Sequence, residues 1–159
     1  MRRIHAEAFA RPEDPSDTPV EVGLVEALTD AGDVVPALSL VAVRGSELVG
    51  HVVCSKATVG DHPVVGLGPI GVIPAHQRQG VGDALMHAVL AAADALELPL
   101  VGLLGSTEYY PRYGFVPATE LGIEPPDPAW GDYFQVRSLT AYRASMVGRF
   151  RYAPAFEAL

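Results

Sequence analysis

The stretch Gly66–Leu90, GLGPIGVIPAHQRQGVGDALMHAVL, reads as an apolar strand-like run, a proline step, a short polar loop with two glycines, and then an amphipathic helix. That order assembles an anion site. Backbone N–H groups of Gln77, Arg78, Gln79, Gly80, Val81 and Gly82 can converge on one point, because glycine tolerates unusual dihedrals and lets a ligand approach the backbone. The helix behind the loop adds its unpaired first-turn donors and the positive end of its dipole. The expected guest is a pyrophosphate.

A glycine pair alone decides little, since such pairs are common in ordinary tight turns. A dinucleotide fingerprint would need a third glycine where Leu85 stands and an acidic residue near the end of the next strand, and both are absent. A P-loop would need Gly-Lys-Ser or Gly-Lys-Thr, also absent. The sequence Gln77-Arg78-Gln79-Gly80-Val81-Gly82, placed after a strand and the step Val72-Ile73-Pro74, resembles motif A of the GNAT superfamily of acetyl-CoA-dependent N-acetyltransferases. By that resemblance the loop and helix cradle the pyrophosphate of acetyl-CoA, with Gln77 to Gly82 on the phosphate loop. Ile70, Gly71 and Val72 fall where the family's strand meets the pantetheine arm and the acetyl carbonyl. Downstream, Tyr110-Pro111-Arg112-Tyr113-Gly114-Phe115 resembles the family's Y-x-x-x-G-F segment, which implies that Tyr110 lies near the coenzyme sulfur. Two motifs in the right order and spacing are much harder to obtain by chance than either alone.

The resemblance implies an α/β fold: a mixed, largely antiparallel sheet flanked by helices on both faces, with the coenzyme in a V-shaped opening between two parallel strands. It implies one N-acetyltransferase domain over residues 1–159. The implied reaction moves an acetyl group from acetyl-CoA to a primary amine of a small molecule or peptide by direct attack in a ternary complex. It also leaves room for a homodimer.

Composition narrows the partners. At 159 residues and 49% hydrophobic content the chain is sized for one packed α/β domain. A net charge of −8 with Lys56 as the only lysine argues against a nucleic-acid partner. The same charge tolerates or attracts a cationic amine. The lone Cys54 excludes an internal disulfide and fits a reducing compartment. After Arg2 and Arg3 come His5, Glu7, Arg11, Glu13 and Asp14 where a secretion signal needs an apolar run. The most apolar region, Val81 to Leu104, is interrupted by Asp83, His87, Asp94, Glu97 and Pro99, so no membrane span is expected. The expectation is a cytoplasmic protein. No spacing of His, Cys and carboxylates suggests a metal.

Along the chain, Ile4–Ala10 reads as a helix and Pro12–Asp17 as a loop rich in proline and acid. The resembled family begins with a strand, for which this opening has almost no room, so the usual first strand is expected to be missing or replaced. Thr18-Pro19-Val20-Glu21 predicts a helix start, with Thr18 as N-cap and Glu21 closing a capping box. Val20, Leu24, Val25 and Leu28 form its apolar face, and Gly32 ends it. Leu38–Val43 and Leu48–Val59 predict a hairpin turning at Arg44–Glu47, and Gly60–Pro63 turns the chain into a third strand, Val64–Ile73. Gly66, Gly68, Pro69 and Gly71 predict a bulge or splay in that strand. In the helix after the loop, Val81, Leu85, Val89, Ala92 and Leu96 read as the buried stripe. Leu98–Gly105 reads as a parallel strand, Thr107–Tyr113 as a short helix or turn leading to a strand at Phe115, Pro117–Gly131 as a long loop, and Tyr133–Leu139 as a strand. Thr140–Leu159 carries no assignment.

Chemistry is assigned by what each side chain offers. A phenol near a departing thiolate can protonate it or hydrogen-bond to it, and only the spacing to Gly114-Phe115 separates Tyr110 from Tyr109 and Tyr113. Those two rings read equally well as core aromatics with satisfied hydroxyls. For the base that must take the amine's proton, His51, Glu108 and a relay of ordered water stay open, and His51 reads first as a structural histidine. Cys54 reads as a small buried hydrophobe before it reads as an acyl nucleophile. Arg78 either pairs with a coenzyme phosphate or sits in solvent. Two rival readings remain: a catalytically idle acyl-CoA sensor or interaction module on the same fold, and a nucleotide-binding protein.

Overall fold

The computed structural model describes residues 1–10 and 18–158, so the loop expected over Pro12–Asp17 lies outside it. Its frame is an antiparallel meander of β1 (Val34–Arg44), β2 (Glu47–Val59) and β3 (His62–Val72). Both connections are two residues long and begin on a glycine at positive φ, Gly45 at 60° and Gly60 at 55°, as tight hairpins require. The strands therefore run further than their apolar runs, and His62 and Pro63 belong to β3 rather than to the turn. α3 (Val81–Ala95) crosses over to β4 (Leu100–Leu104), which lies parallel to β3.

The shorter strands are β5 (Val116–Pro117), β6 (Ile123–Glu124), β7 (Phe134–Ser138) and β8 (Gly148–Tyr152). They complete the order β5-β7-β4-β3-β2-β8-β6, with β1 also on β2. β1 and β8 share the far edge of β2, β1 pairing up to Ser55 and β8 from Ala57 to Val59. Strand β8 lies in the unassigned tail. Its signal was a short alternation: Arg149 and Arg151 are exposed, while Phe150 and Tyr152 turn inward. A Cβ on Gly102 or on Gly66 would stand 2.5 Å from the Phe150 or the Tyr152 ring, so glycines in β4 and β3 make room for the tail's aromatics.

Two glycines show that helices cover both faces. A Cβ on Gly50 would press on Val81 and Leu85 of α3 at 3.0 Å, whereas one on Gly71 would meet Ala8 and His5 of α1 (Arg2–Ala8) at 3.1 and 3.2 Å. Gly71 is the partner of His51, the residue after Gly50, and successive residues point to opposite faces. Among the described residues no strand precedes α1.

α2 (Val20–Asp30) departs from its expected start. Pro19 is the N-cap and no side chain caps the helix, so the Thr18 capping box does not form. Val22, Leu24 and Leu28 are buried, while Val20, in the first turn, is exposed. The C-terminus ends on Gly32 (φ 74°), with Gly32 N–H on Thr29 O and Asp33 N–H on Leu28 O, a Schellman closure. In α3 the buried stripe is Val81, Leu85, Met86, Val89 and Ala93. It keeps the four-residue step to Ala93 instead of Ala92, and Leu96 is exposed because the helix has ended at Ala95. No helix of the described residues is long and apolar enough to cross a membrane.

The feature that positions the site is where β3 and β4 part. They pair only at Val65–Val101 and Gly66–Gly102. Beyond that point β4 continues along β7 to Leu104–Phe134, while β3 stays with β2 to Val72. Between the pairs Val52–Ile70 and Cys54–Leu67, β3 spends one residue more than β2, a bulge at Gly68-Pro69, whose peptide bond is cis. The splay and the bulge expected from the glycines and Pro69 are both present.

Candidate active site

The open edge of β3 carries backbone donors. Ile73 N–H bonds Val49 O at 2.9 Å, toward β2, and strand N–H groups alternate sides, so the N–H and C=O of Val72 point into the opening. Gln77 Nε2 donates to that carbonyl at 2.9 Å, which leaves the Val72 N–H as the group offered to the groove. Gln77 is thus a strut between the strand end and the loop. Gln79 is a second strut: Nε2 donates to Ala75 O at 3.3 Å, and Oε1 accepts from Arg44 at 2.7 Å.

The loop's backbone is set by two left-handed residues, Arg78 (φ 60°) and Gly80 (φ 84°), the latter the N-cap of α3. A left-handed residue followed by helical ones turns successive N–H groups to one side, the geometry that makes anion-binding concavities. The first N–H groups of α3, at Val81, Gly82 and Asp83, have no intrahelical acceptor by helix geometry, and no side chain caps them. The Val81 side chain is buried in the core, so only its backbone serves the loop.

These parts face one groove of about 540 Å³. It brings together Ile70, Gly71, Val72, Gln77, Arg78, Gly80, Gly82 and Tyr110 of the sequence-predicted set, while Gln79 stands behind the loop on Arg44. It also holds three residues whose place there the sequence reading missed: Asp83, Tyr109 and Arg112. Arg112 and Tyr109 lie inside or beside the Tyr110–Phe115 motif, which was the available signal. The Arg112 guanidinium lies 4.6 Å over the Tyr109 ring, and its Nε donates to Tyr109 O at 2.9 Å. Arg78 and Arg112 therefore put two cations in the groove wall.

The three tyrosines separate by place. Tyr113 is buried, with its hydroxyl bonded to Asp83 Oδ1 and 2.9 Å from the Tyr109 hydroxyl. Tyr109 stands at the start of α3, where a Cβ on Gly82 would come within 3.4 Å of its hydroxyl. Tyr110 packs so closely on the end of β4 that a Cβ on Gly105 would stand 2.3 Å from its ring. It also lines a second, apolar pocket of about 410 Å³, whose walls include Leu67–Ile70 of β3 and Leu103 and Leu104 of β4, and Ile70 is shared in the same way. Burial, and then the neighbouring Tyr109, raise the Tyr110 phenol above its ordinary value, so it keeps its proton at neutral pH.

The groups considered as bases or nucleophiles sit elsewhere. Cys54 is fully buried and its thiol is pushed up to about 12 by burial. Glu108 is exposed and lines neither cavity. His51 is buried in a chain, with His5 Nε2 2.7 Å from His51 Nδ1 and Ser39 Oγ 2.9 Å from His51 Nε2. His5 Nδ1 has no partner among the described residues. A buried bare lone pair costs less than a buried orphan N–H. The favoured tautomers therefore run His5 to His51 to Ser39.

Burial first, and then the N-terminal ammonium for His5, and His5 followed by that ammonium for His51, lower both imidazoles to about 4. Because the folded values lie below the unfolded value near 6.5, this pair's contribution is complete above that pH and is lost as pH falls toward 4. Unfolding free energies from denaturant titrations should decline between pH 6.5 and 4 with a slope of up to about 1.4 kcal/mol per pH unit for each histidine. By NMR both imidazoles should remain neutral at about pH 5.5. Ordinary titration near pH 6.5 would remove this pair from the acid limb.

A sheet that opens between two parallel strands, with a glycine-bearing loop and helix at its mouth, defines a class. A family model of the acetyltransferase (GNAT) family matches residues 2–115, and the chain belongs to that family. It is similar to the uncharacterized N-acetyltransferase YjhQ of Escherichia coli (strain K12), with 34% identity over 141 residues that span 84% of this chain and 78% of that protein. A GNAT family acetyltransferase from Brucella melitensis, solved in complex with acetyl-CoA, superposes with a TM-score of 0.76 at 30% identity over 98% of this chain and 88% of that one. The GNAT family N-acetyltransferase YhbS of Escherichia coli, solved in complex with CoA, shares the fold with a TM-score of 0.85 at 24% identity, over 98% of this chain and 84% of that one.

Proposed function

We propose that this chain transfers an acetyl group from acetyl-CoA to a primary amine by direct attack, within one cytoplasmic domain spanning residues 1–159. The observation that carries the reading is that the open edge of β3, the loop before α3 and Tyr110 all face one groove, which meets a second pocket at Ile70 and Tyr110. The groove fits the coenzyme. Its N–H concavity and the cations of Arg78 and Arg112 suit phosphates, and Gly82 keeps the approach to the first turn of α3 clear.

Acetyl-CoA supplies a thioester whose sulfur can leave. The chain supplies orientation of both substrates, the Val72 N–H beside the developing oxyanion, and the Tyr110 proton for the departing sulfur. The new nitrogen–carbon bond forms to give a tetrahedral oxyanion, which collapses as the carbon–sulfur bond breaks; the sulfur gains a proton from Tyr110, the nitrogen gives one up to water, and water returns one to Tyr110. Water takes the amine's first proton as well, since His51 and Glu108 lie off the groove. A screen of polyamines, amino acids, aminoglycosides, apolar amines and peptide N-termini with acetyl-CoA, read by thiol release and product mass, tests this. The expected result is stoichiometric acetylated amine and free thiol. Coenzyme binding with no transfer to any amine would favour an idle acyl-CoA sensor.

A further inference from the structure

The second pocket, about 410 Å³, is walled by aromatic rings from four separate parts of the chain. Phe9 follows α1, Tyr110 follows β4, Trp130 lies between β6 and β7, where β6 breaks up the loop expected over Pro117–Gly131, and Tyr152 and Phe156 come from the tail. Tyr152 and Phe156 stack at 4.2 Å between ring centroids, and Trp130 meets Tyr152 edge-on at 6.5 Å. Leucines from α2, β3 and β4 fill much of the rest. Among the described lining residues one side chain is charged, Glu21 in the first turn of α2, and none is a Lys, Arg or His.

We infer that the acceptor is an amine with a single positive charge and an aromatic or bulky alkyl group, which this pocket binds while Glu21 matches the ammonium. This rests on the acetyl-transfer reading above and goes beyond it in naming the acceptor class. Ile70 and Tyr110 line both this pocket and the coenzyme groove, so an amine seated here would lie beside the thioester. One carboxylate meets one cation. Against the described walls, the second and third ammonium groups of a polyamine or an aminoglycoside would be desolvated on leucines and rings with no carboxylate beyond Glu21 to meet them. An amino acid's carboxylate would find no cation among the described lining residues. An apolar group displaces water from the walls, and the ring faces add attraction for a nearby ammonium.

Trp130 is the chain's only tryptophan, so its fluorescence reports on this pocket without any turnover. With coenzyme A bound, phenethylamine and hexylamine should change that fluorescence saturably, while spermidine and glycine should not. In the transfer assay the two apolar amines should exceed spermidine, kanamycin and glycine in kcat/KM by at least about tenfold. Glu21→Gln should raise KM for phenethylamine about tenfold, the worth of one partly buried charge pair, with kcat changed less than about threefold. A preference for polycations, silence of Trp130 toward both apolar amines, or a Glu21→Gln loss confined to kcat would each overturn the assignment. Acetyl-CoA titrated into the same wild-type sample separates the two levels. Binding together with efficient spermidine acetylation sinks the acceptor class alone, whereas absence of binding sinks the transfer reading beneath it.

Discussion

Tyr110→Phe should lower kcat and kcat/KM together by roughly ten- to a thousandfold while coenzyme affinity stays nearly constant. The ring stays, and with it the packing over Gly105; only the hydroxyl of a residue that lines both cavities is deleted. A proton given to a departing sulfur exists as an interaction mainly in the transition state, so ground-state binding should not register its loss. The neighbouring phenols give the contrast. Tyr113→Phe removes a buried hydroxyl bonded to Asp83 and should cost about 1 kcal/mol of stability, with less than about tenfold in rate. Tyr109→Phe acts beside Gly82 and should appear in coenzyme affinity rather than in kcat. Unchanged kcat in Tyr110→Phe, measured where chemistry limits the rate, would remove the general acid. Equal losses at all three would mean that packing of the segment had been measured.

Filling the mouth of the cradle should produce the other large effect. Gly80 is a poor place to try, because its φ of 84° strains any side chain whether or not a phosphate binds there. Gly82 lies within α3, outside the left-handed region, with room for a Cβ 3.4 Å from Tyr109. Gly82→Ala should therefore stabilise the fold slightly, by up to about 1 kcal/mol of helix propensity. In the same protein coenzyme affinity should fall about tenfold, and about a hundredfold for Gly82→Val, as one and then more of the charge-assisted contacts to phosphate are lost. Opposite signs in melting temperature and affinity separate a blocked site from a damaged fold. A Gly82→Val protein that binds acetyl-CoA normally would make the loop a plain turn.

What the sequence showed most plainly was local. Gly66, Gly68 and Pro69 are poor strand residues in an otherwise apolar run, and they mark where β3 bulges and leaves β4. Gln77 to Gly82 and Tyr110 to Phe115 could be read because each motif's geometry is written within a few residues. What escaped was long-range. Thr18 offers a capping hydroxyl, but propensity does not compel a cap, and Pro19 takes that position. β8 is five residues whose alternation is too short to stand out, and it becomes a strand by docking on β2 and laying Phe150 and Tyr152 over two glycines. His51 was visible as a histidine, but its partners His5 and Ser39 come from α1 and β1, so its burial followed only from the fold. The apolar pocket is the extreme case, since Phe9, Glu21, Trp130 and Phe156 share no local pattern and meet only after the sheet has formed.

The central claim is that the loop before α3 recognises the phosphates of coenzyme A. Calorimetric titration with acetyl-CoA, coenzyme A, acetyl-pantetheine and NAD tests it most directly. Acetyl-CoA and coenzyme A should bind with similar affinity, and ligand at about a hundred times its dissociation constant should add about 2.7 kcal/mol of stability. Acetyl-pantetheine, which keeps the thioester and lacks the phosphates, should bind at least about a hundredfold more weakly. Equal binding of acetyl-pantetheine, tighter binding of NAD, or no heat and no melting shift with acetyl-CoA at millimolar concentration would contradict the account.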